Sequence, residues 1–243
     1  MAQRPKEEAF QGFWARAAQS ARPEPLFSRQ LSDATAASQA VREFDDPAGD
    51  ITASGEAITA EVLTVGALLD GRFHFRLAFL QRAYAWRPEN AVRLLYDLRA
   101  SMLRQRHSKV YLLGRLMLAR SPGATQGEIV DGHQRMVTLT MLFAILRDLE
   151  TDPVRADRLH RLVAVGDHPD GHLPQGLLTI QALPAELFTQ VVLRRGSTEL
   201  DPGVPRETMS ESERNIFDNR DCIRSELLAP GMTDDDRRAL ADY

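Results

Sequence analysis

The sequence predicts an α+β fold, with helices packed on a few short strands and then a mainly helical extension, and three observations point to it. Phe73, Phe75 and Leu77 alternate with His74 and Arg76, the period-two pattern of a half-buried strand. Glu128-Ile129-Val130 forms a further strand that runs through Asp131-Gly132 straight into residues 136–149, apolar nearly all round, the composition of a buried helix. Beyond Glu150 the recognisable patterns are mostly helical.

At 243 residues and 43% hydrophobic content the chain can bury a sizeable core, and one main domain is expected. Residues 1–55 are rich in Ala, Ser, Gln, Arg and Pro and read as an N-terminal tail or linker. Within them Phe10, Phe13, Trp14 and Ala17 fall at helical spacing, which predicts a short helix over residues 7–18. From about residue 56 the texture changes, with Ile58, Val62, Leu63, Val65, Leu68 and Leu69 leading to the turn signal Asp70-Gly71. Residues 56–150 are expected to form the α+β domain and residues 151–243 its mainly helical continuation.

After the first strand, Pro88 and Glu89 suit a first helical turn. Val92, Leu95, Tyr96, Leu98, Met102 and Leu103 continue it, giving a helix of about four or five turns. Residues 110–119 are too evenly apolar and too few for a surface helix and predict a strand, separated by Ser121-Pro122-Gly123 from the strand at Glu128. Further on, residues 155–163 predict a helix, 166–174 a loop, 177–180 a short strand and 184–193 another helix. Asp201-Pro202-Gly203 predicts a turn, and residues 210–228 a long amphipathic helix carrying Ile216, Cys222, Ile223 and Leu227. Thr233-Asp234-Asp235-Asp236 opens a last helix with an N-cap.

A formal charge of -4 and a pI near 5.9 exclude a generally basic surface, so contact with nucleic acid requires a local patch or a partner chain. The lone Cys222 allows neither an intramolecular disulfide nor a cysteine-based zinc site within the chain, which reads as cytoplasmic. The longest apolar stretch, residues 136–146, is interrupted by Thr138 and Thr140 and falls far short of the ~20 residues a membrane span needs, so no membrane partner is expected.

Two segments carry candidate chemistry. In Asp131-Gly132-His133-Gln134-Arg135 a strand end feeds a helix, whose first turn exposes unpaired N–H groups and a partial positive charge of ~0.5, a ready anion site. Gly132 lets a phosphate come close and Arg135 supplies a bidentate donor to it. Gln134 can orient a water or read a base edge, while Asp131 can hold a divalent cation or polarise an attacking water. These residue types suit phosphoanhydride or phosphodiester chemistry, and equally an ordinary helix start with Asp131 as N-cap and Arg135 on the surface. In Phe79-Leu80-Gln81-Arg82-Ala83-Tyr84-Ala85-Trp86 an amide, a guanidinium and two large aromatics precede a helix. The aromatics can stack on a base or cap the core, and Arg82 can reach phosphate or sit on the surface between two core rings.

Taken together and in this order, Gln81, Arg82, Tyr84 and Trp86, then Leu95, Asp97 and Leu98, then Tyr111, Leu113 and Gly114, then Asp131, Gly132, Gln134, Arg135, Thr138, Leu139 and Thr140 resemble the GmrSD restriction endonuclease N-terminal domain family. The likeness is strongest over residues 58–149 and continues more weakly through 177–193 and 210–228. It implies a ParB/sulfiredoxin-like fold, a small mixed sheet with packed helices. It also implies a site that binds and hydrolyses a nucleoside triphosphate with Mg²⁺ in systems that restrict modified phage DNA, some members nicking DNA as well. On that resemblance Asp131, His133, Gln134 and Arg135 carry catalysis and Asp131 takes the metal, while Gln81, Arg82, Gly132 and Tyr84 line the nucleotide site. The implied partners are a nucleoside triphosphate, DNA that carries modifications, and a nuclease partner or a second copy of the chain. The alternative is a non-catalytic nucleotide- or DNA-binding regulatory subunit that assembles with a nuclease.

The chain departs from the family pattern at His133, which stands in place of the first glutamine of the pentapeptide and can donate, accept or ligate a metal near neutral pH. Ala78 and Ala83 stand where prolines are common. Neither the later Asn-Arg-Gly segment nor the His/Asn/His arrangement of an HNH nuclease is found, so no separate nuclease domain is expected. Asp167, His168, Asp170 and His172 bring metal-ligand types together, but in a Gly/Pro loop that reads as a solvated turn. Arg93, Arg99, Arg104, Arg106 and Lys109 give the first long helix and its exit a basic side, either a solvated face or the local patch that DNA would need.

Overall fold

Alternation decides the sheet in the computed structural model, which describes residues 59–243 apart from 72, 78–81, 105–110, 122, 166–174, 180–184 and 202. In β1 (His74–Leu77) Phe75 and Leu77 are buried, while His74 and Arg76 point to the half-exposed face. β2 (Met117–Ala119) runs antiparallel to β3 (Gln126–Asp131), with an irregularity between Met117 and Leu118. β3 in turn lies parallel to β1, with Leu77 opposite Ile129. β4 (Ala164–Val165) and β5 (Gln175–Gly176) form a separate antiparallel pair, and β6 (Leu178–Thr179) joins the far side of β1 in parallel. The main sheet therefore has the order β2-β3-β1-β6 and is mixed. On its half-exposed face Arg76 pairs with Glu128 at 3.1 Å.

The helices are α1 (Val65–Leu68), α2 (Pro88–Arg104), α3 (His133–Leu149), α4 (Pro153–Arg161), α5 (Ala185–Phe188), α6 (Glu211–Leu227) and α7 (Asp234–Asp242); a π-helical turn, Thr189–Leu193, continues α5. α3 is the element on which the rest is assembled. Its Met136, Val137, Met141 and Ala144 pack with Phe75, Leu77 and Ile129 of the sheet. Its opposite side, Leu139, Leu142, Ile145 and Leu146, packs with Ala91, Leu95 and Leu98 of α2 and with Ile223 and Leu227 of α6. Burial on two sides is the reason its sequence lacks a polar face. Even Arg147 is buried, a position it tolerates because its guanidinium donates to the carbonyls of Val192, Leu193 and Arg194 and to Asp148. Capping boxes start both C-terminal helices, Ser210 with Glu213 for α6 and Thr233 with Asp236 for α7. The α+β class and the small mixed sheet agree with the sequence.

One strand expectation needs correction. Residues 111–116 are irregular instead of extending β2, because Gly114 turns the chain at φ 102° and the carbonyls of Leu113 and Arg115 bond to the Arg135 side chain instead of to a neighbouring strand. The short strand expected over 177–180 is present as β6, and Leu177 is where the chain changes partner: its amide bonds to Val163 O while its carbonyl accepts from Phe75 N, so the residues before it pair with β4 and those after it with β1. The helix expected over 7–18 and the loop holding Asp167, His168, Asp170 and His172 lie outside the described residues. The described residues from Glu61 onward belong to one unit, and among them no helix is long and apolar enough to cross a membrane.

Candidate functional site

The pentapeptide is a strand-to-helix junction built on a single left-handed residue. β3 ends on the exposed Asp131, and Gly132, at φ 96°, caps α3. Asp131 is therefore the last strand residue, not the N-cap. No side chain caps the amides of the first turn and no acidic residue lies in it, so the positive end of a 17-residue helix is left uncompensated from within the helix.

Gln134 is buried, and all of its amide is engaged. Its Oε1 accepts from the Ala85 N–H at 2.9 Å and the Trp86 N–H at 3.0 Å, and its Nε2 donates to Ala83 O at 3.2 Å and to His133 Nε2 at 2.7 Å. Two backbone donors fix which end of the amide is oxygen, and hence make His133 Nε2 an acceptor. The His133 ring, 5% exposed, also hydrogen-bonds to the Arg82 backbone. Burial first, and then the Arg82 charge, lower its pKa, against the opposing pull of that backbone bond and of Asp131. The ring is thus neutral with its proton on Nδ1. Together these contacts staple residues 82–86 onto the first turn of α3.

Arg135 clamps the other side. Its NH1 donates to Leu113 O at 2.5 Å and its NH2 to Arg115 O at 2.7 Å. The guanidinium fills the space a Cβ at Gly114 would need, and a Cβ at Gly132 would lie 3.0 Å from Leu116 Cδ1 and 3.1 Å from Arg115 O. Glycine at both positions is a packing requirement of this arginine as well as a backbone one. The charges of Arg93 and Arg135 both act on the half-buried Tyr111 hydroxyl, which donates to Asp97 at 3.5 Å.

Tyr84 corrects an expectation. Instead of facing a base, its ring is in the core at 2% exposure, and burial pushes its hydroxyl pKa up. The hydroxyl bonds to Thr138 Oγ1 at 2.8 Å and accepts from Asn219 Nδ2 at 2.7 Å. Arg82, by contrast, is exposed, and so is Asp131. The site thus brings Arg82, Gly132, His133, Gln134 and Arg135 around one helix end with Asp131 at its edge, and sets Tyr84 behind it; Gln81 lies outside the described residues. Asn215 and Asn219 were not picked out from the sequence, and Thr138 was named only as part of the family pattern. The available signal was polar residues on the buried side of a helix, since Asn215 and Asn219 are four apart beside Ile216 and Ile223.

Among the described residues no group of three His, Cys, Asp or Glu side chains is placed to hold a metal ion. Of the basic side of α2, Arg93 and Arg104 are exposed and Arg99 donates to Gly231 O, while Arg106 and Lys109 lie outside the described residues. A groove of ≈ 720 Å³ between residues 198–209 and α6 contains none of the motif residues. Its arginines are matched by acids, Arg206 and Arg220 with Asp221 and Arg224 with Glu199, so it offers no uncompensated charge to a ligand.

A family model described as the GmrSD restriction endonuclease, N-terminal domain, matches residues 65–236, a span that includes both motifs and helices α1 to α6. No curated protein matches the chain. With well over half of its length in that match, the chain belongs to the GmrSD restriction endonuclease N-terminal domain family.

Proposed function

We propose that this chain is the nucleotide-binding and nucleotide-hydrolysing module of a modification-dependent DNA restriction system. Family membership makes it a component of such a restriction or defence system. The observation that carries the finer reading is the convergence of the two motifs on an uncapped helix N-terminus, with Arg82 and Asp131 exposed beside it. A preorganised N–H cluster with an adjacent guanidinium suits phosphate.

In this reading the first-turn amides of α3 and Arg82 take the phosphates, and Gly132 contributes as the left-handed cap that starts the helix. The family resemblance assigns Gln81, the residue before Arg82 in sequence, to the same site. Gln134, Arg135 and Tyr84 act one step back: their polar groups are spent on the backbone of residues 83–86 and 113–115 and on the core, so they hold the walls of the site. Hydrolysis forms a bond from water oxygen to the terminal phosphorus as the bond from that phosphorus to the bridging oxygen breaks. The electron pair leaves with the nucleoside diphosphate, and the water's proton passes to the Asp131 carboxylate. Among the described residues no cluster of three metal-ligand side chains is found, so Asp131 is the one residue that would hold a Mg²⁺ ion, which would supply neutralisation of phosphate charge. The small mixed sheet supports a ParB/sulfiredoxin-like assignment of the fold. Modified DNA, and a nuclease partner or second copy, are the partners this role calls for, in the cytoplasm.

One observation favours a second reading, in which the nucleotide binds without turnover and regulates assembly with a nuclease. His133 is neutral and buried and Gln134 fully bonded, so neither is placed to act on water. Phosphate release from ATP, GTP, CTP or UTP with Mg²⁺ distinguishes the two. Release that is lost in Asp131→Ala and weakened in Arg82→Ala supports the enzyme, and calorimetric binding without release selects the regulator. Turnover indifferent to both substitutions rejects the site.

A further inference from the structure

We infer that Asn219, in the middle of α6 and 133 positions from Trp86 in sequence, is the positioning residue that aims Arg82 at the helix end. The inference rests on the nucleotide reading above. Asn219 is wholly buried, and its Nδ2 donates to the Tyr84 hydroxyl at 2.7 Å and to Trp86 O at 2.6 Å. Thr138 donates its own hydrogen to Gln134 O at 2.9 Å, so its oxygen can only accept from Tyr84, and the Tyr84 oxygen accepts from Asn219. The direction of every bond is thus set, from Asn219 through Tyr84 and Thr138 to the first turn of α3.

Residues 83–86 are consequently gripped from two sides. Gln134 holds Ala83 O and the amides of Ala85 and Trp86, and Asn219 holds Trp86 O and the Tyr84 side chain, with Asn215 reaching Tyr84 O at 3.5 Å. Arg82 is the next residue out, with its backbone tied to the His133 ring and its side chain exposed. The orientation of Asn219 has a cost, because its Oδ1 is buried with no partner. Rotating the amide would bring that oxygen against Trp86 O, one acceptor facing another. A leucine of similar size would fill the same space without the orphaned acceptor, so packing alone does not account for asparagine; its two donated bonds do.

A double-mutant cycle tests this in the full chain, with ATP, GTP, CTP and UTP each measured in Mg²⁺ by calorimetry. Arg82→Ala should loosen the Kd by roughly tenfold or more, the size of one charge-assisted hydrogen bond. Asn219→Leu should loosen it about fivefold in the parent background and less than about twofold beside Arg82→Ala, because a residue that acts through another has nothing left to aim. Where Arg82→Ala does loosen binding, equal loosening by Asn219→Leu in both backgrounds, or none in either, overturns the inference. Tyr84→Phe, which removes only the relay hydroxyl, should show the same pattern more weakly and serves where Asn219→Leu does not fold. Hydrogen exchange without nucleotide separates this from the underlying reading. Asn219→Leu should speed exchange at the Ala85 and Trp86 amides at least about tenfold relative to α7 amides. Unchanged exchange there overturns the positioning, whereas faster exchange with Kd indifferent to Arg82→Ala upholds the positioning and removes the nucleotide assignment.

Discussion

Replacing Gly132 with alanine tests the junction on which the site depends, and Gly123 supplies the control. Both glycines are left-handed, at φ 96° and 76°, but a Cβ on Gly123 meets nothing within 4 Å. Gly123→Ala should therefore cost only the backbone term, about 1–2 kcal/mol. At Gly132 the same Cβ would lie 3.0 Å from Leu116 Cδ1 and 3.1 Å from Arg115 O. The leucine methyl can give way; the carbonyl cannot, because Arg135 holds it at 2.7 Å. Overpacking of this kind adds about 1–3 kcal/mol, for a total near 3 or 4. Urea unfolding reads the difference directly, since an m-value of about 2 kcal/mol per molar turns the extra ~2 kcal/mol at Gly132 into a midpoint about 1 M below that of Gly123→Ala. A Gly132→Ala midpoint within about 0.3 M of Gly123→Ala would show that the carbonyl and the guanidinium are not where this account puts them.

Other consequences are equally open to measurement. Gln134→Leu leaves the Ala85 and Trp86 amides without their acceptor and should cost about 2–4 kcal/mol in the same unfolding assay; a loss under about 1 kcal/mol would deny the staple. The Arg238 guanidinium, chiefly through its hydrogen bonds, holds the Glu150 carboxyl down to about 2 from 4.5. Its folded value is the lower one, so the stabilisation is present above the unfolded value and disappears as pH falls toward about 2. Thermal melts of Arg238→Ala should accordingly lose stability at neutral pH and show a shallower decline between pH 5 and 2 than the parent. For His133 the folded value is also lowered, but the group is a base. The unfolded ring binds its proton first as pH drops below about 6.5, so the fold loses stability on acidification from there. His133→Gln should flatten that part of the profile, and an unchanged slope between pH 7 and 5 would show that the ring is not held neutral.

The helices were readable because their faces are distinct. α2 and α6 each carry one apolar stripe, and α3 betrays its central place by having no polar side at all. The capping residues Ser210 and Thr233 and the strand alternation at Phe75 and Leu77 are likewise local signals. What failed to show was any structure set by a distant side chain. Residues 111–116 have the composition of a strand, and they are held out of the sheet by Arg135 from 20 and 22 positions away. The ring of Tyr84 suits a base as well as a core, and only Thr138 and Asn219, neither near it in sequence, decide between them. The π turn at Thr189–Leu193 has the same origin, since its last carbonyls are taken by Arg147.

Seen this way, the spacing of Gly114, Gly132 and Arg135 is one feature instead of three. The arginine leaves the helix three residues after its cap, spans two carbonyls of the irregular segment, and fills the place of one absent Cβ while hemming in another. Gln134 does the corresponding work on the opposite side, so the two longest polar side chains of the pentapeptide fix walls in place. A helix end walled in by bonded backbone cannot relax its amides toward one another or be closed by a wandering cap, which is the preorganisation the proposed phosphate site requires. Turnover, as proposed, needs in addition a group free to receive a proton, and with His133 and Gln134 committed to structure, the proposal gives that role to the exposed Asp131.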